Sequence, residues 1–296
     1  MVGPTASGKS AVAMALATDG VEIVSVDSMQ VYRGMDIGTA KPTLSERSQV
    51  PHHMIDLVDP TELFSVAEFQ EQGRAALAGI AGSALVAGGS GLHLRALIDP
   101  LDFPPTDSEL RAALEALDLP ELAGRLLAAD SSAAAVVDMA NKRRVQRAVE
   151  IVELTGQTPT QRSSSAQAAA VENYESVAPV AIVGLDPLDE LEARIEARVE
   201  AMVGGGWLEE VAALDGRLGA TAAGAIGYRE LADVVKGETS LADARVAISA
   251  ATRALAKRQR TYFRKDPRVR WLPWRSNLGD RVSEAAAALE EGKWNS

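Results

Sequence analysis

Short unbroken apolar runs alternate with longer stretches of helical spacing along the first hundred residues. Val21–Val26 (VEIVSV) reads as a buried strand between breakers. Residues 84–87 read as a second, stopped by Gly88 and Gly89, and residues 177–183 as a third, ending at Gly184. Helices are expected over 10–18, after a glycine-rich turn, and over 91–97. This alternation implies an α/β fold, a P-loop core with a parallel sheet. The first strand is nearly missing, since only Met1 and Val2 precede Gly3. Either the start is short or the sheet tolerates a stub.

After Pro104 and Pro105 the pattern turns alanine- and leucine-rich, with Leu110, Leu114 and Leu117 at helical spacing. Residues 156–171 are rich in Ser, Thr, Gln and Ala, which suggests a mobile loop closing an insertion. The expected division is a catalytic core over 1–111 and 172–296, including C-terminal helices, and a helical insertion domain over 112–171. From Leu188 onward, Leu191, Ile195, Val199 and Met202 form one apolar stripe, with Arg194 and Arg198 read as lying off it. Ile248, Leu255 and Tyr262 recur every seven residues, the mark of a long helix. No internal repeat is evident.

At 296 residues and 47% hydrophobic content the chain can bury a substantial core. It has no cysteine and three histidines, which excludes disulfides and thiolate metal sites and argues against a multi-histidine one. No stretch approaches the roughly 18 to 20 apolar residues of a membrane span, and residues 11–17 read as a helix, not a signal-peptide core. A cytoplasmic setting fits. The net charge of −11 argues on average against a nucleic-acid partner. Two basic clusters qualify that average: Lys142, Arg143, Arg144 and Arg147, and then Arg253, Lys257, Arg258, Arg260, Arg264, Lys265, Arg268 and Arg270, where only Asp266 intervenes. They are either solvated helix faces or phosphate contacts.

Chemistry concentrates near the N-terminus. Gly3, Pro4, Thr5, Ala6, Ser7, Gly8, Lys9 and Ser10 satisfy G-x-x-x-x-G-K-[ST], in which backbone N–H groups surround phosphate oxygens at a helix start. Lys9 is placed against the outer phosphates and the Ser10 hydroxyl on Mg²⁺. A nucleotide is the default ligand of such a loop. An NTPase, however, carries an acid at the end of a later buried strand, and here 84–87 runs into Gly88, Gly89, Ser90 and Gly91. The acid instead ends the strand after the P-loop helix, at Asp27. It either faces the bound phosphates or caps the next turn through Ser28.

The loop is followed in order by DSMQVYRGMDIGTAKP (27–42), PHHMIDLVDP (51–60), FSVAEF (64–69), VAGGSGLHLRAL (86–97), RRVQRAVEI (143–151), GAIGYREL (224–231) and TRALAKRQRTYFRKDPRVRWL (252–272). Together these blocks resemble the tRNA dimethylallyltransferases over nearly the whole chain. The resemblance implies transfer of a dimethylallyl group from dimethylallyl diphosphate to N6 of adenosine 37 in tRNA, with Mg²⁺ as cofactor. It implies that residues 3–10 hold the diphosphate and that Lys9, Ser10, Asp27 and Ser90 are catalytic. Asp27, Ser28, Met29, Gln30, Arg111, Arg143, Arg144 and Arg147 would contact tRNA. The expected partners are tRNA and dimethylallyl diphosphate, without a membrane, and the expected state is a monomer.

Other residues read as structural. His52 and His53 are packed loop residues, and His93, where relatives often carry tyrosine, is a helix residue. Trp271 and Trp274 either close a core or stack on nucleotides. Two further functions compete: a P-loop small-molecule or nucleoside kinase, and an RNA-binding module whose P-loop has lost catalysis.

Overall fold

The computed structural model describes residues 1–18 and 20–292. The chain divides into two compact units, Met1–Ile98 with Ala178–Ser296, and Asp99–Val177.

In the larger unit, α1 (Lys9–Leu16) leads to β1 (Val21–Val26), α2 (Leu44–Gln49), β2 (His52–His53), α3 (Val66–Gly79), β3 (Ser83–Gly88) and α4 (Gly91–Ile98). β1 lies between β2 and β3, parallel to both. After the second unit the chain returns as β4 (Ile182–Gly184), which pairs in parallel with β5 (Val269–Trp271). The third strand expected from sequence forms only at its last positions, because Pro179 lacks an N–H and the chain as far as Val177 belongs to the other unit.

Met1 and Val2 join the two groups of strands. The Met1 amine donates to Val86 O (2.6 Å) and Gly88 N to Met1 O (3.2 Å), the pattern of a parallel pair. On the other side Val2 N donates to Val183 O and Leu185 N to Val2 O, each at 2.9 Å. The order is therefore β2, β1, β3, Met1–Val2, β4, β5, and the P-loop leaves the centre of the sheet. Even this stub alternates faces. Val2 packs with Val24, Val26 and Ile182, whereas Met1 packs with Ile23, Leu85, Ala87 and Val183. Both faces are covered, as a parallel sheet requires.

The smaller unit contains α5 (Ser108–Glu115), α6 (Leu119–Ala129), α7 (Lys142–Thr155), α8 (Pro159–Ser163) and α9 (Ala166–Glu172). Leu114, Leu122 and Leu126 pack against Val145 and Val149. This unit begins ahead of residue 112, since α5 contributes Leu110 and Leu114 to its core. Arg111, placed in the catalytic core by the sequence, lies on α5 and so in the smaller unit. The stretch expected as a loop over 156–171 is largely helical. Thr158 and Gln161 form a capping box at α8, Ser165 caps α9, and Thr160 donates its N–H and hydroxyl to Asp130 (2.9 and 2.6 Å).

The larger unit is completed by α10 (Leu191–Gly204), α11 (Trp207–Ala213), α12 (Tyr228–Val235), α13 (Leu241–Phe263) and α14 (Leu278–Gly292). Among the described residues no helix is long and apolar enough to cross a membrane.

Candidate active site

The P-loop turns sharply because three positions adopt left-handed backbone: Gly3 (φ 142°), Ala6 (φ 60°) and Gly8 (φ 82°). At Gly3 a Cβ would stand 2.1 Å from Leu185 O, so glycine alone fits there. Lys9 is folded back on its own loop, donating to Pro4 O (2.7 Å) and Ser7 Oγ (3.4 Å). Burial, seconded by Arg198, lowers its pKa to about 7, while Asp27 pulls the other way. Ser10 is exposed and lines a cleft of about 270 Å³ with Lys9, Asp27 and Arg198. Two arginines brace the loop from behind: Arg194 donates to Ala6 O (2.8 Å) and Arg281 to Ser7 O (3.5 Å). Both stack on Trp274, at 5.0 and 4.7 Å from its ring. Trp271 packs partly buried in the core beside Gly184.

Asp27 directly follows β1 and accepts the Met29 N–H at 2.8 Å, so the turn is capped one residue beyond Ser28. Its carboxylate lines the P-loop cleft and also a second cleft of about 290 Å³. Ser28, Met29 and Ser90 line the second cleft. Gln30 lines only the first, and its amide is committed: it accepts from Ser25 Oγ (2.7 Å) and donates to Thr39 O and Ala40 O (3.1 Å each). Ser90 Oγ is hydrogen-bonded to His93 Nδ1 at 2.6 Å. His93 stands edge-on to Phe69, and burial lowers its pKa against the pull of Asp27. β3 ends in glycines, without a carboxylate, so that α13 can approach. A Cβ on Gly89 would meet Gln259 at 2.4 Å, and one on Gly91 would meet Tyr262 at 2.1 Å.

Two site residues escaped the sequence reading. Arg198 was placed off the apolar stripe, yet it stands three residues after Ile195 and four before Met202, which puts it on the buried side of α10. It lines both clefts; burial lowers its pKa and Asp27 opposes that. Gln259 follows Thr252 and Leu255 by seven and four residues. It accepts the Thr5 N–H at 2.7 Å and also lines both clefts. A polar residue on an apolar stripe was the available signal in each case.

The C-terminal basic cluster is more neutralised than its own sequence suggests. Arg253 faces Glu192 and Glu196, Arg260 and Arg264 hold the buried Asp186, and Arg270 pairs with Glu291. Arg258 lines the second cleft, and Lys257 is exposed.

In the smaller unit the arginines separate into two kinds. Arg111 and Arg147 both bind the buried Glu150, at 3.1 and 2.7 Å, and Arg147 also donates to Pro104 O and Pro105 O. Burial pushes the Glu150 carboxyl up, but these hydrogen bonds outweigh it and hold its pKa below the ordinary value. Arg143 and Arg144 are exposed, with Arg144 3.8 Å from Asp138. Arg143, Arg144, Arg147 and Arg162 line a pocket of about 580 Å³ over Val137 and Ile151.

A P-loop that leaves the centre of a parallel sheet, with Asp27 on the rim shared by two adjoining clefts, defines a P-loop α/β protein. Residues 30–266 match the family model described as IPP transferase, and residues 1–56 that described as isopentenyl transferase. The chain belongs to the IPP transferase family. It is 42% identical over 287 residues to a tRNA dimethylallyltransferase of Bifidobacterium longum, covering 92% of this chain and 85% of that one. To a tRNA dimethylallyltransferase of a Nocardioides species it is 44% identical over 307 residues, covering 99% and 96%. Among solved structures, the full-length tRNA isopentenylpyrophosphate transferase of Bacillus halodurans superposes with a TM-score of 0.67 at 36% identity, covering 99% and 96%.

Proposed function

We propose that this protein transfers the dimethylallyl group of dimethylallyl diphosphate to N6 of adenosine 37 in tRNA, as a cytoplasmic monomer. The observation that carries the proposal is the position of Asp27 on the rim shared by the P-loop cleft and the apolar second cleft. A carboxylate there can orient a nucleophile and take its proton as it attacks, and the family match is what separates this reading from a kinase.

The roles follow from the groups present. The loop amides and Lys9 receive the diphosphate, and Arg198 adds a fixed cation beside the bond that breaks. The N6 lone pair attacks C1 of the allylic group, the C1–O bond breaks, and its electron pair leaves with the diphosphate. The N6 proton passes to the Asp27 carboxylate, which orients the amino group as it accepts. Ser90, positioned by His93, lines the same cleft and hydrogen-bonds near the reacting groups. The adenine must leave its stack to arrive there, with Ser28 and Met29 as walls.

The exposed Ser10 hydroxyl offers an oxygen donor to the P-loop cleft, and among the described residues no group of three or more His, Asp or Glu stands ready to hold an ion. A single hydroxyl fits Mg²⁺ arriving with the diphosphate, since this ion keeps waters and substrate oxygens in its shell. Ser10 would hold it, and it would supply further charge neutralisation to the leaving group.

The test is to incubate the protein with labelled dimethylallyl diphosphate, ATP and unmodified tRNA bearing adenosine 37. Label should pass to the tRNA with no ATP turnover; ATP turnover without transfer would mark a kinase, and RNA retention alone an inert module.

A further inference from the structure

The apolar cleft is lined by two unlike groups of residues. Arg258 and Tyr262 of α13, the latter 37% exposed, suit a polyanionic RNA. Val199, Met202 and Trp207 offer apolar surface, with Trp207 2% exposed. A prenyl tail whose diphosphate lies in the P-loop gains by packing on the second group, away from water.

Trp207 cannot yield there. A Cβ on Gly38 would stand 2.2 Å from its Nε1, and one on Gly227 would stand 2.1 Å from its Cη2, so backbone presses on the indole from two sides. Its third neighbour, Tyr228, meets it edge-on at 6.1 Å. Tyr228 is itself tied by its hydroxyl to Glu210 (2.7 Å), which also accepts the N–H groups of Asp36, Ile37 and Gly38. Two of the groups that press on the indole, Gly38 and Tyr228, are thus held in place by charge-assisted hydrogen bonds to one carboxylate. The buried Nε1 has no hydrogen-bond partner, so this residue acts at the wall by shape.

We infer that Trp207 is the chain-length gauge of the allylic diphosphate donor, a fixed wall that admits a C5 prenyl group and turns away a C10 one. The inference rests on the proposed transfer to N6, and the chemistry is the same for either donor: N6–C1 forms, C1–O breaks, and diphosphate leaves with the pair. One methylene too many in a filled apolar pocket costs roughly 10- to 200-fold in kcat/KM. Five further carbons against a pinned wall should cost more than about 100-fold.

Two measurements test this. In the first, wild-type protein and Trp207→Leu are offered dimethylallyl and geranyl diphosphate with tRNA, and the modified nucleosides are identified by mass. Wild type should form only the C5 product, and Trp207→Leu should form the C10 product as well. A folded Trp207→Leu that remains restricted to C5, or a wild type that uses both donors equally, would overturn the gauge. The second needs neither turnover nor a variant: calorimetric binding of alkyl diphosphates with saturated tails from C5 to C10. A fixed wall predicts an abrupt loss of affinity past a set length, whereas an open end predicts a smooth gain of roughly fourfold per methylene and would refute it. A wild type that binds the series with the abrupt break yet transfers nothing would refute the proposed function and leave the gauge standing.

Discussion

Gln259 Oε1 accepts the Thr5 N–H at 2.7 Å, which ties the C-terminal part of α13 to the P-loop. The same helix presents Arg258 and Tyr262 to the apolar cleft, so a single element touches the places proposed for both substrates. Replacing the amide by a carboxylate adds a negative charge beside the diphosphate. Gln259→Glu should weaken diphosphate binding about 10-fold or more, while Gln259→Met, which keeps the volume, should change it about threefold at most. Calorimetric titration with dimethylallyl diphosphate compares the two.

If the loop receives the diphosphate as proposed, Lys9 should make that binding take up protons. Its pKa in the empty loop is about 7, so at pH 8 it is mostly neutral, and beside a diphosphate it becomes charged. Binding at pH 8 should draw in up to roughly 0.9 proton through this residue, read from calorimetry in two buffers of different ionisation enthalpy. Lys9→Met should lose that uptake with most of the affinity. In the free protein the sign is fixed by the depressed pKa. The unfolded chain binds the extra proton between pH 7 and about 10.5, so this residue destabilises the fold below that window and the penalty fades as pH rises through it. Thermal melts should show Lys9→Met more stable than wild type by roughly 1–3 kcal/mol at pH 7, converging toward pH 10.

The loop that forms the wall of the apolar cleft depends on one carboxylate. Glu210 accepts three backbone N–H groups and the Tyr228 hydroxyl. Tyr228→Phe removes one of these bonds and should cost about 1 kcal/mol in urea unfolding, whereas Glu210→Ala orphans all four donors and should cost about 3 kcal/mol or more. Equal losses would mean that the loop is held by packing instead.

The arginines of α7 should divide by function. Arg143 and Arg144 are exposed, so their joint replacement by alanine should weaken tRNA binding and reduce the slope of log K against log salt by about 2. Arg147 is taken up by Glu150 and two proline carbonyls. Arg147→Ala should instead lower stability by about 3 kcal/mol and leave the salt slope in place, measured by filter binding across a salt series.

Much of this was legible in the sequence because local chemistry dictated it. VEIVSV reads as a buried strand between breakers and forms β1, and GPTASGKS carries its glycines where the backbone turns left-handed at Gly3 and Gly8. Asp27 was found by its position at a strand end. What stayed hidden depends on distant pairing. Nothing near Met1 and Val2 says that Val86, Gly88, Val183 and Leu185 will complete their hydrogen bonds. Glu150, on an otherwise ordinary amphipathic helix, gives no sign that it will occupy Arg147 and Arg111. The 156–171 stretch looked like a loop by composition, but Thr158 and Ser165 are also the residues that start helices.

In the proposed reaction Asp27 acts on the amino group and not on the diphosphate. Single-turnover transfer by Asp27→Asn, with dimethylallyl diphosphate affinity measured on the same preparation, tests it most directly. The rate should fall about 10²- to 10⁴-fold, the usual contribution of a positioned base, while the diphosphate Kd moves by no more than about threefold. A parallel loss of rate and affinity would contradict the account and make Asp27 part of the phosphate cradle.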